Sequence, residues 1–153
     1  KAFGMKVIAW SHNLTKEECD NLNIKYVSST ELFETSDILT IHTKLSERTE
    51  GFIDKEKLKL MKKDSVLVNT SRGPIIKEQD LIDALNNNLI SCAALDVYDI
   101  EPLPADHPLR NTKNTILTPH IGYVSSEAYK KFFEGYIKVI EAFLIGKNLN
   151  QIG

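Results

Sequence analysis

Val66 to Pro74 reads V-L-V-N-T-S-R-G-P. An apolar run this short, closed by Asn69, Thr70 and Ser71 and turned at Gly73, has the pattern of a strand covered on both faces. The helical pattern Lys77 to Asn87 follows it at once. The pair is a βα unit, and it delivers Arg72 to the carboxyl end of its strand.

The same alternation extends outward in both directions. Lys6 to Trp10, Ile24 to Val27, Ile38 to His42, Ala93 to Asp96 and Thr115 to Thr118 are further strands. Thr15 to Leu22, Ser29 to Phe33 and Lys55 to Met61 are further helices, and Thr15 with Glu18 has capping-box spacing. Strands alternating with helices predict an α/β fold around a mainly parallel sheet. Val97 to Lys113 carries Pro102, Pro104 and Pro108 and reads as a structured loop. Beyond Gly122 the pattern becomes one long helix, Ser125 to Ile145, with Ala128, Phe132, Phe133, Tyr136, Ile140 and Phe143 mainly on one face and Gly146 past its end. At the other terminus, Lys1 to Gly4 reads as the end of a helix entering the first strand, with more chain expected before it.

With 153 residues, 42% of them hydrophobic and 26% charged, the chain can bury one core. A net charge of -2 with interspersed signs argues against nucleic acid and anionic membrane as partners. Cys19 and Cys92 stand alone, so neither a metal site nor a disulfide framework is expected, and a reducing cytoplasm fits best. No apolar run is long enough to span a bilayer, and no leader pattern is visible.

Three strand ends carry chemistry. Arg72 has the planar donors to hold a carboxylate through two parallel hydrogen bonds. In A-L-D-V-Y-D-I-E-P-L-P, Ala94 to Pro104, Asp96 ends a strand and Glu101 sits in the loop behind it; in I-L-T-P-H-I-G-Y, Ile116 to Tyr123, a strand stops at Pro119 and presents His120. Taken singly, each reads equally as a solvated or salt-bridged surface residue. Together they converge on the sheet edge where open α/β folds bind ligands.

The order and spacing of these motifs resemble the D-isomer-specific 2-hydroxy acid dehydrogenases over essentially the whole chain. The resemblance implies a Rossmann-like, doubly wound parallel sheet at 1–122 and, at 123–153, the C-terminal return segment of the substrate domain. It implies hydride transfer between NAD(H) or NADP(H) and a small 2-keto or D-2-hydroxy acid such as glyoxylate or hydroxypyruvate. His120 would be the acid/base, Glu101 would hold its other ring nitrogen, and Arg72 would bind the substrate carboxylate. Ser11, Thr43, Thr70, Ser71, Asp96 and Gly122 would lie along the cofactor, and the intact protein would be a homodimer. Glutamate at position 101, where the formate dehydrogenases of this family place Gln, argues against that branch.

The chain also departs from the pattern. The glycine-rich loop and the first, central strand are absent from it, which should leave unpaired edges between the strands at Lys6 to Trp10 and Ile38 to His42 and an unstable or inactive polypeptide. Ser11, His12 and Asn13 stand where an NAD-specific sheet usually offers an acid, leaving the choice of nucleotide open. Lys44 stands where many members have Pro. The rival reading is a dinucleotide-sensing module akin to the family's transcriptional corepressors, which would bind without turnover.

Overall fold

The computed structural model describes residues 1–149 and divides into two compact units, Lys1–His120 and Ile121–Gly153. In the first unit the elements are β1 (Ile8–Ala9), α1 (Lys16–Asn21), β2 (Lys25–Tyr26), α2 (Ser29–Thr35), β3 (Ile38–Ile41), α3 (Lys55–Leu60), β4 (Val66–Asn69), α4 (Glu78–Asn86), β5 (Cys92–Leu95) and β6 (Thr115–Leu117). Two single-turn 3-10 helices, Gly73–Ile75 and Pro108–Asn111, interrupt the connections after β4 and β5.

All strand pairs are parallel, in two separate sheets: a ribbon β1-β2 and a four-stranded sheet β3-β4-β5-β6. No ladder joins the two sheets, and β3 is an edge of the larger one. Ile38, on the edge strand β3, is 54% exposed.

Several boundaries differ from the sequence reading. Lys1 to Gly4 is a turn rather than a helix end, closed by Gly4 N–H donating to the Lys1 carbonyl at 2.8 Å, with Gly4 at φ +75°. The strand expected over Lys6 to Trp10 shrinks to Ile8–Ala9, because β1 has a partner on one side only and that partner is two residues long. The strand Ala93 to Asp96 moves to Cys92–Leu95, in register with Val66–Asn69. Helix α2 continues to Thr35, whose hydroxyl donates back to the Glu31 carbonyl. The capping box forms: Thr15 Oγ1 accepts from Glu18 N–H at 3.2 Å while the Glu18 carboxylate accepts from Thr15 N–H at 2.8 Å.

The core lies under the four-stranded sheet, where Leu67 and Leu95 meet Leu58 of α3, Leu81 and Leu85 of α4, Ile75, Ile90 and Leu109. Each such side chain contributes roughly 2 kcal/mol by leaving water. Gly73 fits a different constraint. A Cβ built there would sit 2.1 Å from the Tyr98 carbonyl carbon, so the backbone after β4 is pressed directly on the backbone after β5.

In the second unit, α5 (Ser126–Leu144) is capped by the Ser125 hydroxyl, which accepts from Ala128 N–H at 3.1 Å. It ends in a Schellman arrangement: Gly146, at φ +70°, donates to the Phe143 carbonyl, and Lys147 donates to that of Ala142. At ~100° per residue, Tyr129, Phe132, Phe133, Tyr136, Ile137, Ile140, Phe143 and Leu144 all fall within an arc of about 140°, a single apolar face. None of its side chains is buried. The end of the segment assigned to 123–153 falls outside the described residues. Among the described residues, no helix is long and apolar enough to cross a membrane.

Gly73→Ala tests the backbone contact. Its methyl group meets main chain that cannot rotate away, so unfolding in urea should show a loss of about 3 kcal/mol, at the upper end of what overpacking costs.

Candidate active site

The turn after β4 is organised by Asn69, which is 1% exposed. Its side-chain oxygen accepts from Ser71 N–H at 3.0 Å and its amide donates to the Arg72 carbonyl at 2.9 Å. A buried Asn with both ends satisfied holds one conformation of this turn. Ser71 Oγ donates to the Thr43 carbonyl at 2.5 Å, joining the segments that follow β3 and β4. Arg72 extends from the turn with its guanidinium exposed, and Nη1 donates to the Ser71 carbonyl at 2.6 Å. Thr70 lies exposed immediately after β4.

At the end of β5, Asp96 is buried and accepts a short hydrogen bond from the Thr118 hydroxyl at the end of β6. Asp96 N–H in turn donates to the Asn69 carbonyl at 2.9 Å. Tyr98, also buried, places its hydroxyl 2.8 Å from the Thr118 carbonyl and 3.1 Å from that of Leu95, its one proton shared between the two acceptors. Burial raises the Tyr98 pKa, as does the charge of Asp96, so the hydroxyl keeps its proton. The ends of β4, β5 and β6 are thereby tied side by side.

Glu101 and His120 meet on this edge. Tyr98 N–H donates to Glu101 Oε1 at 2.9 Å, and Glu101 Oε2 lies 2.6 Å from His120 Nδ1. His120 adopts φ +56°, a left-handed conformation unfavourable for a residue bearing a Cβ, and its N–H donates to the Thr118 carbonyl at 3.1 Å across Pro119. Partial burial raises the Glu101 pKa, but the hydrogen bonds from His120 and Tyr98 and the charges of His120 and Arg72 outweigh it. The carboxyl therefore titrates below the ordinary glutamate value.

Of the residues singled out from the sequence, the structure brings Glu101 and His120 into contact and sets Arg72 close enough to act on the Glu101 charge. Asp96, Thr70, Ser71 and Thr43 line the same carboxyl edge. Ser11 follows β1, where its hydroxyl accepts from Leu14 N–H at 3.1 Å. Gly122 belongs to the second unit. Asn69 and Tyr98 escaped the sequence reading. Asn69 was visible as a polar residue ending a buried strand, but Tyr98 carried no local signal because its two hydroxyl acceptors lie on different strands.

The first unit is a parallel α/β sheet with a carboxylate–imidazole pair and an arginine at its carboxyl edge, the architecture of a dinucleotide-type domain. The model of the D-isomer specific 2-hydroxyacid dehydrogenase NAD binding domain matches residues 1–122, and the chain belongs to that family. It is 40% identical to a hydroxypyruvate reductase of Blautia hydrogenotrophica over 99% of this chain and 47% of the relative. It is also 40% identical to a glyoxylate reductase of Aeropyrum pernix, over 96% of this chain and 44% of the relative. Among solved structures, a putative D-3-phosphoglycerate dehydrogenase from Ralstonia solanacearum superposes with a TM-score of 0.91 at 36% identity, covering 99% of this chain and 44% of that one. An acyclic imino acid reductase in complex with NADPH and D-Arg superposes at 0.79 with 37% identity, covering 99% and 47%. The chain thus spans less than half the length of the curated relatives quoted.

The lowered Glu101 pKa has a definite pH consequence. A carboxylate held more acidic in the fold than in the unfolded chain stabilises the fold above its unfolded pKa, and that stabilisation is lost as pH falls through the folded value. The Glu101 carboxyl carbon, followed by NMR, should titrate below the unperturbed value of about 4.3. In His120→Asn its midpoint should rise towards that value; an unchanged midpoint would show that the pair does not form in solution.

Proposed function

We propose that the intact protein is an NAD(P)-dependent oxidoreductase that interconverts a small 2-keto acid and its D-2-hydroxy acid. The observation that carries this is the Glu101–His120 pair at 2.6 Å on the edge that also holds Arg72. The hydroxyl, carboxylate and backbone groups of Thr43, Thr70, Ser71 and Asp96 along that edge suit the sugars, phosphates and carboxamide of a dinucleotide. When bound, the nicotinamide supplies or accepts the hydride.

His120 supplies the proton. With Glu101 ionised, the Nδ1 proton is engaged by the carboxylate, so exchange with substrate runs through Nε2. In reduction Nε2 protonates the carbonyl oxygen as hydride reaches the carbonyl carbon; in oxidation it removes the hydroxyl proton. Glu101 fixes the plane of the ring through its bond to Nδ1. Arg72 binds the carboxylate beside the reacting carbon, fixing which carbonyl faces the histidine.

Residues 123–153 belong, in this reading, to the substrate domain, and the broad apolar surface of α5 packs within it. The intact protein pairs as a homodimer. Short 2-keto acids of the glyoxylate and hydroxypyruvate type are the substrates to try first, as the names of the two curated relatives suggest.

Oxidation of NADH and NADPH by the full-length protein with these acids should be followed at 340 nm, a wavelength set by the reduced nicotinamide. His120→Gln should lower kcat by about a thousandfold, within the usual range for loss of an acid/base group. Arg72→Lys should raise KM as well as lower kcat, because one ammonium cannot replace a planar pair of donors. Dinucleotide binding with no turnover across a panel of 2-keto acids would favour a sensing role instead.

A further inference from the structure

The end of β1 is where a dinucleotide-binding sheet meets the adenosine ribose, and an acid there binds the free hydroxyls of NAD whereas a nearby arginine accommodates the 2'-phosphate of NADP. The residues at that position, Ser11, His12 and Asn13, include neither an acid nor an arginine. The fold brings an arginine from elsewhere. Arg48 Nη2 donates to Asn13 Oδ1 at 3.2 Å, across 35 positions of sequence.

Arg48 stands on a braced turn. Thr49, 5% exposed, accepts from Ser46 N–H at 2.8 Å through its hydroxyl oxygen and donates to the Lys44 carbonyl at 2.8 Å. The N–H groups of Thr49 and Glu50 both donate to the Ser46 carbonyl at 2.9 Å. The receiving side is braced as well. Trp10 stacks on Phe52 with ring centroids 5.3 Å apart, His12 packs edge-on against the same ring at 5.3 Å, and Lys57 lies over it at 4.3 Å. Ser11 accepts from the N–H groups of Asn13 and Leu14, which fixes the turn that carries Asn13.

Two of the nearby acids are engaged elsewhere. Glu18 is engaged in the α1 capping box and Asp20 in an ion pair with Lys16 at 3.1 Å; Glu17 is exposed on α1, and Glu47 precedes Arg48 in the turn. An arginine with five N–H donors retains capacity for a phosphate while one of them meets Asn13.

We infer that Arg48, positioned by Asn13 beside Ser11 and His12, binds the 2'-phosphate of NADPH, so that the intact enzyme prefers NADPH to NADH. This rests on the dinucleotide-dependent reading above and deepens it. Arg48 sets the nucleotide preference, is remote from the acid/base pair in its role, and takes no part in hydride transfer.

The test is calorimetric titration of the full-length protein with NADPH and with NADH, in the absence of any keto acid. NADPH should bind at least about tenfold more tightly, the scale of one charge-assisted hydrogen bond, and the ratio should shrink with added salt. Arg48→Ala should remove most of that ratio by weakening NADPH alone, leaving NADH within about twofold, since the lost contact is to a group NADH lacks. Ser11→Asp retains an oxygen to cap the turn and adds a charge facing the phosphate, so it should invert the preference. Equal affinities in the parent protein, or an Arg48→Ala variant that weakens both nucleotides alike, overturn the assignment of Arg48 while leaving the oxidoreductase reading intact. Binding of neither nucleotide defeats both.

Discussion

The contact between two stretches of backbone, Gly73 on one side and Tyr98 with Asp99 on the other, is the constraint from which the site follows. Backbone meets backbone there with no space for even a methyl group. The turn that carries Arg72 and the loop that carries Glu101 therefore keep one spacing. Side chains packed between them would have allowed rotamer changes to alter that spacing; bare main chain does not.

Glu101 gains its role from the same junction. One of its oxygens is occupied by Tyr98 N–H and the other by His120 Nδ1, so the carboxylate transmits the position of the β5 loop to the imidazole. Tyr98 acts twice: its N–H holds Glu101, and its hydroxyl bonds the Thr118 carbonyl, which also receives His120 N–H. The left-handed backbone of His120 is stabilised by that shared acceptor. Electrostatics and chain geometry thus reinforce each other at one point.

Much of this was legible in the sequence because strand ends are marked by their chemistry. Val66 to Asn69 was found at its observed limits because its apolar run stops at a buried Asn and a Gly-Pro turn. Arg72, Glu101 and His120 were legible as motifs converging on one sheet edge, and the contact between the last two was expected from the family resemblance alone. What was not legible depended on partners distant in sequence. Lys6 to Trp10 has the composition of a full strand, but pairing on one side with a two-residue partner leaves only Ile8–Ala9. The meeting of Arg48 with Asn13 follows from how the segments after β3 and β1 fold together, and no local pattern reports it. Lys1 to Gly4 misled because a left-handed Gly closes an isolated turn as readily as it ends a helix.

The separation of β1-β2 from the four-stranded sheet divides the molecule's cooperativity. A two-stranded ribbon has little stability of its own, and no backbone ladder joins this one to the larger sheet. Its attachment includes the stack of Trp10 on Phe52. Opening the ribbon therefore spares the hydrogen bonds that align β4, β5 and β6, and its local unfolding free energy is set apart from that of the edge bearing Glu101 and His120. A ligand that engages Ser11 to Asn13 would spend part of its binding energy on ordering this ribbon, and contacts made there leave the alignment of Glu101 with His120 undisturbed.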